Sequence, residues 1–477
     1  MLSVLRLLIR SFQQKAILYK KPDRILALQQ SRLRSLIRWA KSQSPFYAEH
    51  LRHVDPEKFE LSQLPTLTKA DMMNNFDSFL TDRQLRRTDL ERFMSNPNRL
   101  GQWYLGRYAL SHTSGTQGMQ AIIVQDRSMM ELLYALQMMC GNAYTRTLSG
   151  LCEGICQGVR LAAITIGRGF YPSASMLAYA PPAFKAFTRR LWLTHIEPLD
   201  EVVNQLNRFQ PNILLAYANV LEILAREALA GRLMLDRGRP LRQIVNFSEP
   251  LSQGARNLIE KAFNLPITNN YAMGECMALT TGCPGGHGMH LQADWAILEV
   301  VDRHNRPVIP GQPGDKVLLT NLYNLIQPFI RYEIEDVVTV SPQSCPCGSP
   351  LPLILKVEGR TDELLWIRVG DQNRQIHPFV FVDMLDEYPA VGWYQVLQVE
   401  RNRFLLRAAP APGRIIDLPG IHEIIHRGLR HYGLADSIHL DVEITNQVGP
   451  DPKSGKLKRI TSLVGSPGEP SRTGVIA

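Results

Sequence analysis

Apolar positions in the first 60 residues recur every three or four places. Leu2, Leu5, Ile9 and Phe12 fall at helical spacing, and Leu26, Leu33 and Ile37 repeat the rhythm further on. Both runs predict helices. Leu64-Pro65-Thr66-Leu67 reads as a turn, and Thr68 with Asp71 three places later reads as the cap of a helix start. From Trp103 to Leu110 the pattern turns strand-like, and it resumes as Ala121-Ile122-Ile123-Val124 beyond a glycine-rich interval. Strand and helix signals then alternate to about residue 300, with strands at 160–166, 213–216 and 243–247 and helices at 199–209, 220–230 and 252–263. That alternation predicts a layered α/β domain. The strands that follow are shorter and turn-rich (296–301, 316–320, 336–340), predicting a β-rich subdomain over about 295–357. After Gly359 the texture becomes that of a small α+β unit, with strands near 365–369, 396–398, 404–408 and 439–443 and a helix at 421–432. The Ser-, Gly- and Pro-rich tail over 466–477 predicts disorder.

The expected architecture is therefore α/β: a large layered domain over 1–359, opened by a helical basic segment over 1–60, then a small α+β domain over 360–465. A chain of 477 residues suits two to three compact units, and its 45% hydrophobic and 20% charged content is that of a globular protein. Arg6 and Arg10 interrupt the apolar start, which argues against an export signal, and the run 213–221 is far too short to span a bilayer. These features predict a cytoplasmic protein whose 7 cysteines are free or metal-bound. The net charge of +9 is concentrated: between Met1 and Lys41 ten basic residues face one acid, Asp23, and ten minus one equals the whole excess. Such confinement argues against a nucleic-acid binder, which spreads its basic stripe over the fold. A solvated helix face is the plain reading. A docking edge for an acidic acyl carrier protein or an anionic membrane surface is the sharper one.

The interval His112-Thr113-Ser114-Gly115-Thr116-Gln117-Gly118 concentrates hydroxyls and glycines between two strands. Glycines let backbone N–H groups approach phosphate oxygens, and hydroxyls add donors. It lacks the Gly-Lys-Ser/Thr ending and following helix of a Walker loop. Taken alone it is also an ordinary hairpin turn.

Ser-Gly-Thr-x-Gly between strands resembles the nucleotide loop of adenylate-forming enzymes, the superfamily of acyl-CoA ligases, adenylation domains and luciferases. Five further segments follow in that family's order. Phe247-Ser248-Glu249-Pro250-Leu251 resembles the backbone stretch that lies against adenine. Tyr271-Ala272-Met273-Gly274-Glu275 resembles the Tyr-Gly-x-x-Glu motif, whose ring borders adenine and acyl group and whose Glu holds Mg²⁺. Ile330-Arg331-Tyr332 with Asp336 resembles the segment whose Asp binds the ribose. Gly359-Arg360-Thr361-Asp362 resembles the hinge between large and small domains. Lys456, in Ser454-Gly455-Lys456, stands where the family carries its catalytic lysine; Lys453, Lys458 and Arg459 share that loop, and only the resemblance singles Lys456 out. The text Leu64–Lys69, the compact size and Cys345-Pro346-Cys347-Gly348 make the phenylacetate-CoA ligase branch the nearest in pattern.

The resemblance implies ATP- and Mg²⁺-dependent activation of a carboxylic acid, aromatic or fatty, to an acyl-adenylate, then transfer to coenzyme A. An acyl carrier protein or an amine is the alternative acceptor, and a silent nucleotide- or acyl-binding relative is the reading from another class. It makes Lys456, Glu275 and His112 the catalytic set and Thr113, Ser114, Gly115, Thr116, Gly118, Ser248, Glu249, Pro250, Tyr271, Ala272, Met273, Asp336 and Arg360 the ATP contacts, with Asp362 at the hinge. Phe170, Tyr171, Tyr217 and Met273 are candidates for the acid pocket. Three departures stand out: Met119 where the loop usually has Lys, Glu335 where Gly often precedes the ribose Asp, and Trp366-Ile367-Arg368-Val369 where aryl-CoA ligases carry a segment of the thiol tunnel.

Two Pro/Gly-stiffened turns, Cys345-Pro346-Cys347-Gly348 and Cys283-Pro284-Gly285-Gly286, have the look of metal-binding knuckles. With His290, or else His287 or Cys276, they assemble a four-ligand structural zinc site. Cys152 and Cys156, four apart, read as buried helical residues.

Overall fold

The computed structural model describes residues 2–113, 121–140, 154, 158–165, 169–194, 197–235, 240–360, 365–376, 381, 384–385, 388, 390–411, 413–431, 434–445 and 460–464. The predicted tail, Ser114–Gly118, Met119, Cys152, Cys156, Thr361, Asp362 and Lys456 lie outside these residues. Two compact units are present: Met1–Glu249 with Ile259–Val357, and Pro250–Leu258 with Glu358–Ala477.

The first unit opens with helices Leu2–Ile17 and Pro22–Gln43. The second of these starts on a proline, whose missing N–H costs nothing at the first helical position, and buries Leu33, Leu36, Ile37 and Ala40. Among the described side chains of the first helix, Leu7, Ser11, Gln14 and Ile17 are buried, while Ile9 and Phe12 of the periodic stripe face outward. Leu26 is likewise exposed, and its neighbour Ile25 packs in its place. Thr68 and Asp71 form a reciprocal cap, each side chain accepting the other's backbone N–H at 3.1 Å.

Strands Tyr108–His112 and Ile122–Asp126 pair antiparallel, with His112 opposite Ile122 at the end that carries the glycine-rich interval. The strand starts later than Trp103. Leu105 and Gly106 take positive φ (48° and 69°), making a turn whose ends are joined by the Tyr104–Tyr108 bridge. A parallel five-stranded sheet follows, ordered Thr188–Thr194, Val159–Thr165, Ile213–Ala216, Gln243–Phe247 and Ile267–Asn270. Its two outer strands were not predicted. One carries exposed Arg189 and Arg190 and has only the three-residue apolar run Leu191–Leu193, and the other is short and polar. Helix Ala218–Leu229 starts two residues before its predicted position.

Two antiparallel sheets complete the unit: Ala296–Val301, Lys316–Asn321 and Tyr332–Ile334 in one, and Asp336–Val340, Leu353–Arg360, Met289–Leu291 and Thr280–Gly282 in the other. The second sheet draws in strands that precede residue 295. The other unit has its own core around Ile367, Phe381, Val396, Phe404, Leu406 and Ile421. There the sheet order is His439–Ile444, Arg403–Pro410, Val391–Glu400 and Ile460–Ser462, with helix Leu418–His431 and hairpin Leu365–Val369/Gln372–Ile376.

Candidate active site

Within the first unit, three segments far apart in sequence meet at the glycine-rich end of the hairpin. His112 donates its N–H to the Phe170 carbonyl at 2.7 Å, and Thr113 donates to the Ala121 carbonyl at 2.9 Å. Ala121 returns a bond to Thr113 Oγ1 at 3.1 Å. The base of the loop is thus closed by two reciprocal bonds. Segment Tyr271–Glu275 packs directly on it. A Cβ on Gly274 would lie 3.5 Å from Thr113 Cγ2, 3.5 Å from Ile123 Cγ1 and 3.3 Å from Pro172 Cγ, so Gly274 stands within ordinary packing distance of the loop base. A tight turn, with Met273 and Cys276 exchanging backbone bonds at 3.4 and 3.0 Å, carries Glu275. Its carbonyl accepts from Asn321 Nδ2 at 2.7 Å, and the residue is buried. Ala272 and Met273 lie half-buried on the same turn.

Tyr271 is fixed at both ends. Its backbone exchanges two bonds of 2.8 Å with Thr280 Oγ1. Its hydroxyl donates to Asp336 Oδ2 at 2.5 Å. Asp336 is buried at the start of its strand. The neighbouring Arg331 has a structural task. Its Nε and Nη2 grip Glu299 at 3.0 Å each, and Nη1 reaches the Ser62 and Leu64 carbonyls at 3.1 and 2.5 Å. Leu67 donates to the Arg331 carbonyl and accepts from Glu333, so the Leu64–Lys69 text is bolted to the strand leading to Asp336.

An aromatic wall borders the loop base. The His112 ring meets the Tyr171 ring edge-on at 4.9 Å. Tyr171 packs against buried Tyr217 and Phe247, whose centroids are 5.0 Å apart, and the Tyr217 hydroxyl lies 2.9 Å from Ser173 Oγ. Phe170 instead points into the core, 6.1 Å from Phe93. Burial lowers the His112 pKa below the usual histidine value, and the carbonyl contacts only partly oppose this. The neutral imidazole is therefore the resting form. Ser248 takes a positive φ of 62° and is exposed. Glu249 Oε2 accepts the Asn219 N–H at 3.1 Å, at the start of helix Ala218–Leu229, a contact the sequence gives no sign of. Pro250 and Arg360 are assigned to the second unit, Arg360 as the last residue of the strand Leu353–Arg360 that begins in the first.

Away from this cluster, the ligand atoms of Cys283, His290, Cys345 and Cys347 all lie within 4.8 Å of one another. Cys283 Sγ is 3.5 Å from Cys345 Sγ, and His290 Nε2 is 3.2 Å from Cys347 Sγ. The assembly needs Gly288: it has φ of 138°, and a Cβ there would strike the Ile354 carbonyl at 2.3 Å where the His290 strand meets Leu353–Arg360. Burial pushes the Cys283 thiol up, but N–H groups of His287 and Gly285 and the two partner thiols outweigh it and hold Cys283 below the usual range. Exposed His287 is outside the four-residue group. So is Cys276, which is packed beside Tyr323 with its thiol pushed by burial to about 12.

No protein-family model matches the chain. Two curated proteins do. Phenylacetate-coenzyme A ligase of Thermus thermophilus is 23% identical over 356 residues, covering 72% of each chain. Protein CapK of Staphylococcus aureus is 24% identical over 326 residues, 66% of this chain and 63% of that one. Among solved structures, 2-hydroxyisobutyryl-CoA ligase in the postadenylation state superposes with a TM-score of 0.67 at 17% identity, over 91% of this chain and 88% of the other. The anthranilate CoA ligase AuaEII with anthranoyl-AMP gives 0.51 at 16% identity, over 73% and 64%. The chain is thus similar in sequence to phenylacetate-coenzyme A ligase and similar in fold to solved CoA ligases.

Proposed function

We propose that this protein activates a carboxylic acid with ATP and passes the acyl group to coenzyme A. The reading is carried by one observation: the loop base at Thr113, the Gly274–Glu275 turn and the Tyr271–Asp336 pair converge in the first unit. In the first half-reaction a carboxylate oxygen bonds to the α-phosphorus of ATP, the bond to the β-phosphate bridge breaks, and pyrophosphate leaves. The nucleophile is already an anion, so no strong base is required. What the site must supply is alignment and relief of repulsion between anions. Asp336, held by Tyr271, suits the ribose hydroxyls. The loop from Thr113 through Ser114, Gly115, Thr116 and Gly118 suits the departing phosphates, and Lys456 brings positive charge.

The buried Glu275 carboxylate offers oxygen donors of the kind magnesium takes, and the ion would supply charge compensation for the phosphates. The aromatic wall of Tyr171, Tyr217 and Phe247 suits an aromatic or fatty tail beside neutral His112. In the second half-reaction the thiol sulfur attacks the acyl carbon, AMP leaves with the bonding electrons, and the thiol proton goes to solvent. The Cys283, His290, Cys345 and Cys347 group fits zinc: three soft thiols and one imidazole, closed on two stiff turns. We assign it a structural role, pinning those turns together.

Pyrophosphate release is the test, measured with a panel of aromatic and fatty acids, with and without coenzyme A. Release with one class of acid, with thioester formed when the thiol is added, is the expected result. Release only on addition of an acyl carrier protein or an amine would change the acceptor. No release with any acid would overturn the proposal.

A further inference from the structure

The first helix is built the wrong way round for a helix that only serves the core. Its inward positions include two polar residues, Ser11 and Gln14, and Gln14 Oε1 accepts from the Trp295 indole at 2.8 Å. Its outward positions include Arg6 and Gln13 but also large apolar side chains: Ile9 is 48% exposed, Phe12 59%, and Tyr19 just beyond the helix 80%. Ala16 shares that face. Large apolar side chains scattered singly are ordinary, but two on one face of the helix, followed by Tyr19 just past its end, form a stripe. The helix does not need that stripe to stay in place. Leu7 and Ile17 are buried, Arg10 donates to the Ser128 carbonyl and hydroxyl at 2.6 and 2.8 Å, and Gln14 holds Trp295.

A neighbouring cleft of about 650 Å³ has a mixed lining, with Gln13, Lys20 and Arg32 beside exposed Leu325, whose carbonyl accepts from the half-exposed Trp39 indole at 2.9 Å. Around the patch the exposed charge is mainly basic, although Arg6 pairs with Glu131 at 3.5 Å and Asp23 is exposed beside Arg24. Arg6, Lys20, Lys21 and Arg24 are exposed, and no acid precedes Asp23. An apolar stripe with an aromatic residue at its centre, flanked by lysine and arginine on a rigid helix, is the arrangement that lies in a membrane interface. Among the described residues no helix is long and apolar enough to cross a membrane, so the contact would be peripheral.

We propose that the Leu2–Ile17 helix docks the protein on an anionic lipid surface, with Ile9, Phe12 and Tyr19 entering the headgroup layer and Lys20, Lys21 and Arg24 meeting the lipid phosphates. The apolar stripe decides for lipid over an acidic protein. Acidic protein surfaces attract the same cations but give exposed phenylalanine, isoleucine and tyrosine no acyl layer to enter.

The full chain is tested by co-sedimentation with vesicles of phosphatidylcholine, with and without phosphatidylserine. Binding to the anionic vesicles alone, weakened by added salt, is expected. Ile9→Ser with Phe12→Ser should weaken it at least tenfold, since burying one such side chain is worth about that much or more. Lys20→Gln with Lys21→Gln should weaken it about 25-fold, at about fivefold per charge near an anionic surface. All four positions are exposed, so the melting temperature should not move, and the lysine pair tests the idea even if the apolar pair were to disturb folding. The proposal is overturned by any of three results: no association with anionic vesicles; association unchanged in both double variants; or a stripe that proves to be a contact with a second copy or with an acidic carrier protein and not with lipid.

Discussion

Removing one oxygen atom separates positioning from packing at the proposed nucleotide site. Tyr271→Phe keeps the ring, its half-buried place and the two backbone bonds to Thr280, which do not involve the hydroxyl. It deletes the 2.5 Å bond to Asp336 Oδ2. A hydrogen bond to a charged group contributes about 1.5–3 kcal/mol. At about 1.4 kcal/mol per factor of ten, its loss should weaken productive ATP binding roughly 10- to 150-fold. The loss should fall mainly on KM for ATP, because Asp336 is assigned to the ribose and the reacting phosphorus lies elsewhere. ATP–pyrophosphate exchange at varied ATP gives KM and kcat, and a thermal melt gives stability. Asp336→Ala should remove the same interaction, so the double variant should be little worse than Asp336→Ala alone. Unchanged KM with a lowered melting temperature would show that the bond only braces the fold. Fully additive effects in the double variant would refute the coupling itself.

Three further outcomes follow from other contacts. Arg331→Met strips the guanidinium from half-buried Glu299 and should cost about 3 kcal/mol in a denaturant titration, while Arg331→Met with Glu299→Leu should regain most of it. Elemental analysis should find one zinc per chain, and Cys345→Ser should lose it and lower the melting temperature by on the order of 5 °C; wild-type protein that is metal-free and indifferent to chelator would remove the zinc assignment. Burial depresses the His112 pKa, so its contribution to stability is full above the unfolded value of about 6.5 and is lost as pH falls through the lowered folded value. His112→Phe should therefore lose less stability than wild type between about pH 7 and pH 5, read from urea midpoints, and equal losses would contradict a buried neutral ring.

The α/β layering was legible because its central strands, such as Ile213–Ala216 and Gln243–Phe247, are short apolar runs between helices of clear period. The sheet's edges were not. Ile267–Asn270 is held by contacts that leave no periodic trace: Asn270 Oδ1 accepts the Gly282 N–H at 2.7 Å, and Asn269 Oδ1 accepts from Asn246 at 2.7 Å. The Leu2–Ile17 stripe was legible as a helix but silent about its facing. Periodicity reports that apolar residues share a side, and it cannot report whether that side meets protein or something else. Only the burial of Ser11 and Gln14 opposite exposed Ile9 and Phe12 decides it.

The proposed site shows why short motifs can be read in order along a chain and still say little about distance. Glu275 and Thr113 are linked in sequence only by resemblance, and in space by the packing of Gly274 near the Thr113 side chain. Asp336 is linked to Tyr271 by one hydroxyl, and to Leu64–Lys69 through an arginine that touches neither motif's chemistry. Arg331 anchors its own segment from both sides: its backbone carbonyl holds Leu67, while its guanidinium holds Glu299 and the Leu64 carbonyl. A buried arginine satisfied by one carboxylate and two carbonyls fixes where the strand to Asp336 begins, and hence where the Asp336 carboxylate can stand relative to Tyr271. The prediction for Arg331→Met is for that reason also a prediction about chemistry. If the segment shifts when the pair is broken, nucleotide affinity should fall along with stability, and the apolar double variant should restore the second more fully than the first.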